Sequence, residues 1–97
     1  MSEFILPEQD VINSICLFYA REKHILPEDV EVELLFEDDR GFEAEVYANG
    51  AQTLYNEGNM ISAVRLWIEE YHDLDPYATG IRLELDDEQG IIAYINA

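Results

Sequence analysis

The sequence predicts an α+β domain: a tandem βαββ duplication forming a mainly antiparallel sheet, with two helices on one face and an internal pseudo-twofold. Three observations lead there. The chain matches itself at a shift of 49 positions, residues 8–46 lying on 57–95 without a gap. Each half carries one apolar run at helical spacing. Each half then carries two alternating runs joined by an acidic turn containing glycine, Gly41 or Gly90.

The self-match is more than scattered identity. Glu8 falls on Glu57, Ile12 on Ile61, Leu17 on Leu66, Pro27 on Pro76, Leu34 on Leu83, Asp38 on Asp87, Gly41 on Gly90 and Ala44 on Ala93. Chance supplies a few identities, but it does not also keep the apolar pattern, the proline and the turn glycine in phase. Solenoid units of this length need three or more copies to bury a core. Two copies point instead to one domain, residues 1–97, folded like a homodimer fused into one chain, with repeats at about 3–48 and 52–97.

The elements follow in chain order. "SEFILP" is expected as a strand because its counterpart "AQTLYN" is one. Asp10 is the expected N-cap of the first helix, whose stripe is Val11, Ile12, Ile15, Phe18 and Tyr19. Pro27 keeps that helix from continuing. Val30, Val32, Leu34 and Phe36 alternate along a strand, and the return strand alternates Phe42, Ala44 and Val46. Gly41 sits where a hairpin bulge needs positive φ. Pairing Phe36 with Phe42 sets Leu34 against Ala44 and Glu33 against Glu45. Asn49-Gly50 is a type I′ turn signal, so "AQTLYN" should pair back on "FEAEVYA". Asn59 is the expected N-cap of the second helix, with the stripe Met60, Ile61, Val64, Trp67, Ile68 and Tyr71. Pro76 follows it, and then come Ile81, Leu83 and Leu85, the Gly90 turn, and Ile91, Ala93 and Ile95.

Composition limits the function. The chain has 22 acidic residues against 5 Lys plus Arg, a net charge of −17. Phosphate backbones and anionic membrane surfaces call for the opposite sign, so neither direct nucleic-acid binding nor membrane binding is expected. No apolar run is long enough to span a bilayer, and "MSEFILPEQD" lacks the basic region and apolar run of a secretory signal. One cysteine, Cys16, makes no internal disulfide, and a thiolate zinc site needs several. A reducing cytoplasm is the expected setting.

At "VEVELLFEDDRGFEAEVYANG" and "LELDDEQGIIAYI" the chain resembles the YxcD-like family of small acidic proteins from Bacillus-type bacteria. The likeness covers nearly the whole chain. That family is a domain of unknown function, so the resemblance implies no activity and carries over no catalytic residue.

The residues offer little chemistry. Nucleophilic catalysis needs a nucleophile beside a base, and the available groups are Cys16, Ser14, Ser62, His24 and His72. Cys16 lies at the margin of the helical stripe and has Arg65 as its counterpart, which suits a structural thiol. His24 and His72 fall near helix ends, where an imidazolium favours the dipole. No phosphate-cradling loop, HExxH or EF-hand spacing is present. No catalytic residue or cofactor is expected.

Surface residues carry the remaining readings. Glu31, Glu33, Glu43 and Glu45 share the outward face of the first hairpin. Like charges opposite one another destabilise a sheet, so a hard cation seeking several oxygens is one candidate occupant. In the second half Glu43 and Glu45 give way to Ile92 and Tyr94, which with Leu54 and Leu35 would form an outward apolar patch. Leu17 and Leu66 also point off the main stripes. A contiguous exposed apolar patch marks an interface. The sequence therefore suggests a small, non-catalytic, cytoplasmic interaction protein, acting as a homodimer or on a basic protein partner. The alternatives are divalent-cation binding at the acidic hairpins, or an acidic mimic of nucleic acid that occupies a basic protein's groove.

Overall fold

The structure, a computed structural model, describes residues 3–96. Its elements are β1 (Glu3–Leu6), α1 (Glu8–Lys23), a 3-10 turn (Pro27–Asp29), β2 (Glu31–Glu37), β3 (Gly41–Ala48), β4 (Ala51–Tyr55), α2 (Glu57–Tyr71), β5 (Gly80–Asp86) and β6 (Gly90–Asn96). All eight expected elements are present; Ser2, at the start of the first expected strand, lies outside the described residues. None of these helices is long and apolar enough to cross a membrane.

The strands form two three-stranded antiparallel sheets, ordered β1-β6-β5 and β2-β3-β4. A single shared sheet was the expectation, and this corrects it. Alternation fixes which side chains point inward, but it does not say how many ladders share them. Each hairpin is closed by the first strand of the other half. Phe4 stands opposite Ile95 and Leu6 opposite Ala93 in one sheet, while Thr53 stands opposite Val46 and Tyr55 opposite Ala44 in the other. Within the hairpins, Phe36 pairs with Phe42 and Glu33 with Glu45, as the alternation requires. Leu85 pairs with Ile91 in the second.

The turns explain these registers. Gly41 and Gly90 have φ of +75° and +78°, the left-handed backbone that closes a three-residue hairpin loop. Asp86 Oδ1 accepts from the amides of Glu88 and Gln89 at 2.8 and 2.9 Å. Those two bonds hold the Asp86 carboxyl below its ordinary range. Asn49 and Gly50 both have positive φ, the type I′ signature, and they bring β4 directly back onto β3.

Both helices pack their apolar stripes on the inner faces of the sheets. Helix α1 rests on β6 and β2, α2 rests on β3, β4 and β5, and the helices touch each other. The core joins Val11, Ile15 and Tyr19 of α1 and Met60, Val64 and Ile68 of α2 to Leu6, Ala44, Val46, Leu83, Ala93 and Ile95 of the strands. Phe36 and Leu85 alternate with the inward set but adjoin the turns, and both are exposed there.

Helix starts differ from expectation. Helix α1 begins at Glu8 behind Pro7, whose fixed φ suits that place, and Asp10 lies inside the first turn. Helix α2 is capped by Asn56, not Asn59. Asn56 Oδ1 accepts from the Asn59 amide at 2.8 Å, and Asn59 Oδ1 accepts from the Asn56 amide at 3.0 Å, a reciprocal capping box. The sequence cue was displaced by three residues because both partners of the box are asparagine. We expect Asn56→Ala to cost about 1 kcal/mol of unfolding free energy in urea, and Asp10→Ala only a few tenths. Equal losses would contradict this assignment of the caps.

Candidate functional site

The inner faces are occupied by core, so function has to be sought at the outer faces, the free strand edges and the helix margins. In the β2-β3-β4 sheet, alternation sets Leu54, Glu45 and Glu33 side by side in one outward row. Leu54 is 51% exposed. Gln52 Nε2 donates to Glu45 Oε2 at 2.7 Å. Desolvation first, and Glu45 and Glu33 after it, push the Tyr47 phenol above its ordinary value. The sheet's own polar neighbours thus answer part of the carboxylate repulsion. Among the described residues no three His, Cys, Asp or Glu side chains converge in a way that could hold a metal ion, and this includes Glu31, Glu33, Glu43 and Glu45.

On the β1-β6-β5 sheet the outward row is Ile5, Tyr94 and Arg82. Tyr94 donates its hydroxyl to Glu3 at 3.0 Å, and the Arg82 guanidinium lies 4.9 Å from its ring centre. Arg82 also pairs with Glu84. Tyr94 is therefore a half-covered member of a polar cluster. Ile92 departs further from the expected patch. It alternates outward, opposite Glu84, yet it is only 3% exposed and lies outside the helix-packed core. Leu17 is likewise buried, at 8%. Leu66 is half-buried beside Pro76 and Tyr77. Of the expected patch, Leu54 is exposed and Leu35 half-buried opposite Glu43 on one sheet, while half-buried Tyr94 lies beside exposed Ile5 on the other. Alternation sets a side chain's direction, but exposure also depends on which neighbours lean over it.

The candidate nucleophiles and bases are not brought together. Ser14 is buried and donates to the Asp10 carbonyl, a helix back-bond. Cys16 is half-buried, with Sγ 3.5 Å from the Val30 carbonyl oxygen. Burial pushes its thiol up, against a smaller opposing effect of a hydrogen bond from its own backbone. His24 is the left-handed C-cap of α1, and exposed His72 ends α2, stacked on Phe4 with ring centres 4.9 Å apart.

One residue escaped sequence reasoning. Tyr55 closes β4 among Phe18 and Tyr19, and among the described residues no group stands in hydrogen-bonding geometry to its buried hydroxyl. Burial first, and then the nearby Glu22 carboxylate, push its pKa from 10.0 to about 12. The alternation of "AQTLY" points the Tyr55 side chain inward, but nothing local says that its oxygen finds no partner.

Comparison with known proteins agrees with the resemblance drawn from the sequence. The family model described as "Protein of unknown function (DUF2653)" matches residues 1–88. The chain is 33% identical over 92 residues to the uncharacterized protein YxcD of Bacillus subtilis (strain 168), covering 94% of this chain and 90% of that protein. No solved structure matches it.

Two outcomes test the side-chain assignments. Ile92→Glu places a charge in a buried position and should cost about 3 kcal/mol in chemical unfolding, with Tyr94→Glu costing clearly less. A raised folded-state pKa favours the protonated phenol, so the Tyr55 contribution is fully present below pH 10 and is lost as pH rises through about 12. Tyr55→Phe removes an unsatisfied hydroxyl, so its stability at neutral pH should match or exceed wild type. Its loss of stability on alkaline titration should also be smaller.

Proposed function

This chain belongs to the DUF2653 family of unknown function, and from that premise we propose a non-catalytic interaction protein that receives a basic protein partner on its acidic surface. The observation that carries the reading is the outward row Leu54, Glu45 and Glu33. It sets an exposed apolar side chain beside two opposed carboxylates, on a sheet face away from both helices. Such a row combines the two parts of a working interface, an apolar centre and a charged rim. The net charge of −17 steers cationic partners toward it and repels acidic ones.

We further infer that the chain is a duplication with an internal pseudo-twofold, formed by halves that exchange their first strands. Several contacts support this reading by recurring at the 49-residue shift. Phe36 opposite Phe42 becomes Leu85 opposite Ile91, and Phe4 opposite Ile95 becomes Thr53 opposite Val46. Glu8 accepts from the Ile91 amide beside the Gly90 turn, and Glu57 lies beside the Gly41 turn. Arg21 and Glu70, themselves 49 apart, form an ion pair between the helices, as positions beside a twofold axis would. Arg21 holds the Glu70 carboxyl below its ordinary value. The evolutionary counterpart of such a chain is a strand-exchanged dimer whose subunits became joined.

The role is tested by capture from the native cell extract with wild type and with a Glu33→Gln, Glu45→Gln, Leu54→Ser variant. The expected outcome is a basic protein retained by the wild type, with affinity for the variant lower by about tenfold or more, since a buried leucine alone is worth roughly 1.5–3 kcal/mol. Equal retention by both, or self-association in sedimentation that the variant leaves unchanged, would remove this face from the interface.

A further inference from the structure

A groove of about 540 Å³ runs between α1 and β2, lined by Ile12, Asn13 and Cys16 on one side and by Pro27, Glu28 and Glu31 on the other. Its strand wall is an edge: among the described residues β2 pairs only with β3. A free strand edge offers its unpaired N–H and C=O groups to another extended chain.

The second half of the molecule has the corresponding groove, narrowed to about 230 Å³ and lined by Ser62, Arg65, Pro76 and Tyr77. There Arg65 of α2 swings over and donates from Nη1 to the carbonyl oxygens of Pro76 and Thr79, the latter at 3.4 Å. Moving each of these residues back by 49 gives Cys16, Pro27 and Val30, and Cys16 Sγ does lie 3.5 Å from the Val30 carbonyl oxygen. The backbone acceptors are the same, but a short thiol stands where the other half has a guanidinium. The groove beside Cys16 is the wider of the two, about 540 Å³ against about 230 Å³, and a thiol stands in it where the other half has an arginine side chain. Its charge agrees, since Glu28 and Glu31 line it and, among the described residues, no lysine or arginine does.

We propose that this groove binds an arginine side chain borne on an extended segment of a basic partner, the segment adding as a fourth strand to the free edge of β2. The guanidinium would donate to the Pro27 and Val30 carbonyls and to Glu28 or Glu31, groups whose planar acceptor geometry suits its fork of donors. Its aliphatic stem would lie along Ile12. Main-chain pairing supplies register and the groove supplies residue preference. This rests on the reading of the protein as a receptor for a basic partner, and it adds where that partner binds and by which side chain.

The test uses the full chain, labelled with nitrogen-15 and titrated with a blocked peptide of alternating valine and arginine. A second peptide replaces each arginine by citrulline, which keeps the shape and removes the charge. The arginine peptide should shift the amides of residues 9–16 and 27–32 and bind about tenfold or more tightly than the citrulline peptide. It should also slow alkylation of Cys16 by iodoacetamide. Cys16→Arg, which supplies the side chain within the chain, should abolish binding, and Arg65→Cys should open a second site near Pro76. If Cys16→Arg does not fold, protection of Cys16 in the wild type decides alone. Binding that leaves Cys16 unprotected and shifts residues around Leu54 would overturn the groove while keeping the basic partner. Failure of the peptide to bind anywhere, together with no basic protein captured from extract, would overturn both.

Discussion

The pairing of β1 with β6 holds the start of the chain to its end, with Phe4 opposite Ile95 and Leu6 opposite Ala93. The rest of the structure depends on that ladder and on its counterpart between β4 and β3. A two-stranded hairpin is at best marginal in water, and a third strand is what gives each one a face wide enough to bury. The β2-β3 hairpin takes the strand that follows it directly, β4, whereas the β5-β6 hairpin takes β1 from the other side of both helices. β1 leads into α1 and must reach the β5-β6 hairpin, and β4 leads into α2 after closing on β3. The two helices are thereby carried across one another's sheets. Met60, Val64 and Ile68 then meet Val11, Ile15 and Tyr19 in a core that neither half could assemble separately.

That interlock also explains where charge is tolerated. Eleven kilodaltons of protein carrying a net −17 repels itself, and the core must outweigh this. The structure keeps the carboxylates on turns, edges and outward rows, where water and nearby donors screen them. Where a carboxylate is drawn in, it has work at a chain junction. Glu8 accepts from the Ile91 amide at 2.8 Å, which ties the start of α1 to the far hairpin. Arg21, one of only five Lys plus Arg, is spent on Glu70 between the helices. Arg65 and Arg82 are likewise engaged by the chain's own carbonyls and carboxylates, which leaves the exterior strongly acidic.

The two halves share a backbone plan and diverge in their surfaces. Arg65 reaches from the margin of one helix to the segment before β5 and leaves a narrower groove, and Cys16 leaves the same margin wider. Glu43 and Glu45 face outward in one hairpin, and buried Ile92 with tethered Tyr94 in the other. Divergence at matched positions lets two halves of like element order keep one framework while each makes different contacts. Any asymmetry of function in this molecule has to sit in such pairs, since the inward positions of both halves are committed to the core.

The sequence by itself determined the elements, the hairpin registers and the two turn chemistries. These are local matters: a 3.6-residue or two-residue period, a glycine that alone accepts positive φ without strain, and an Asn-Gly pair. It also carried enough of the family pattern to be recognised. The tertiary structure decided what depends on distant partners. Two ladders formed instead of one because β1 and β4 each closed the other half's hairpin. Asn56 became the cap because the loop after β4 ended there, although Asn59 stood nearer the apolar run. Ile92 and Leu17 were covered although alternation and helical phase pointed them away from the main core. The open groove beside Cys16 was illegible for the same reason. A cysteine aligned with an arginine is only a difference in letters until the fold brings the Val30 and Thr79 carbonyls beside them and makes one groove wide and the other narrow.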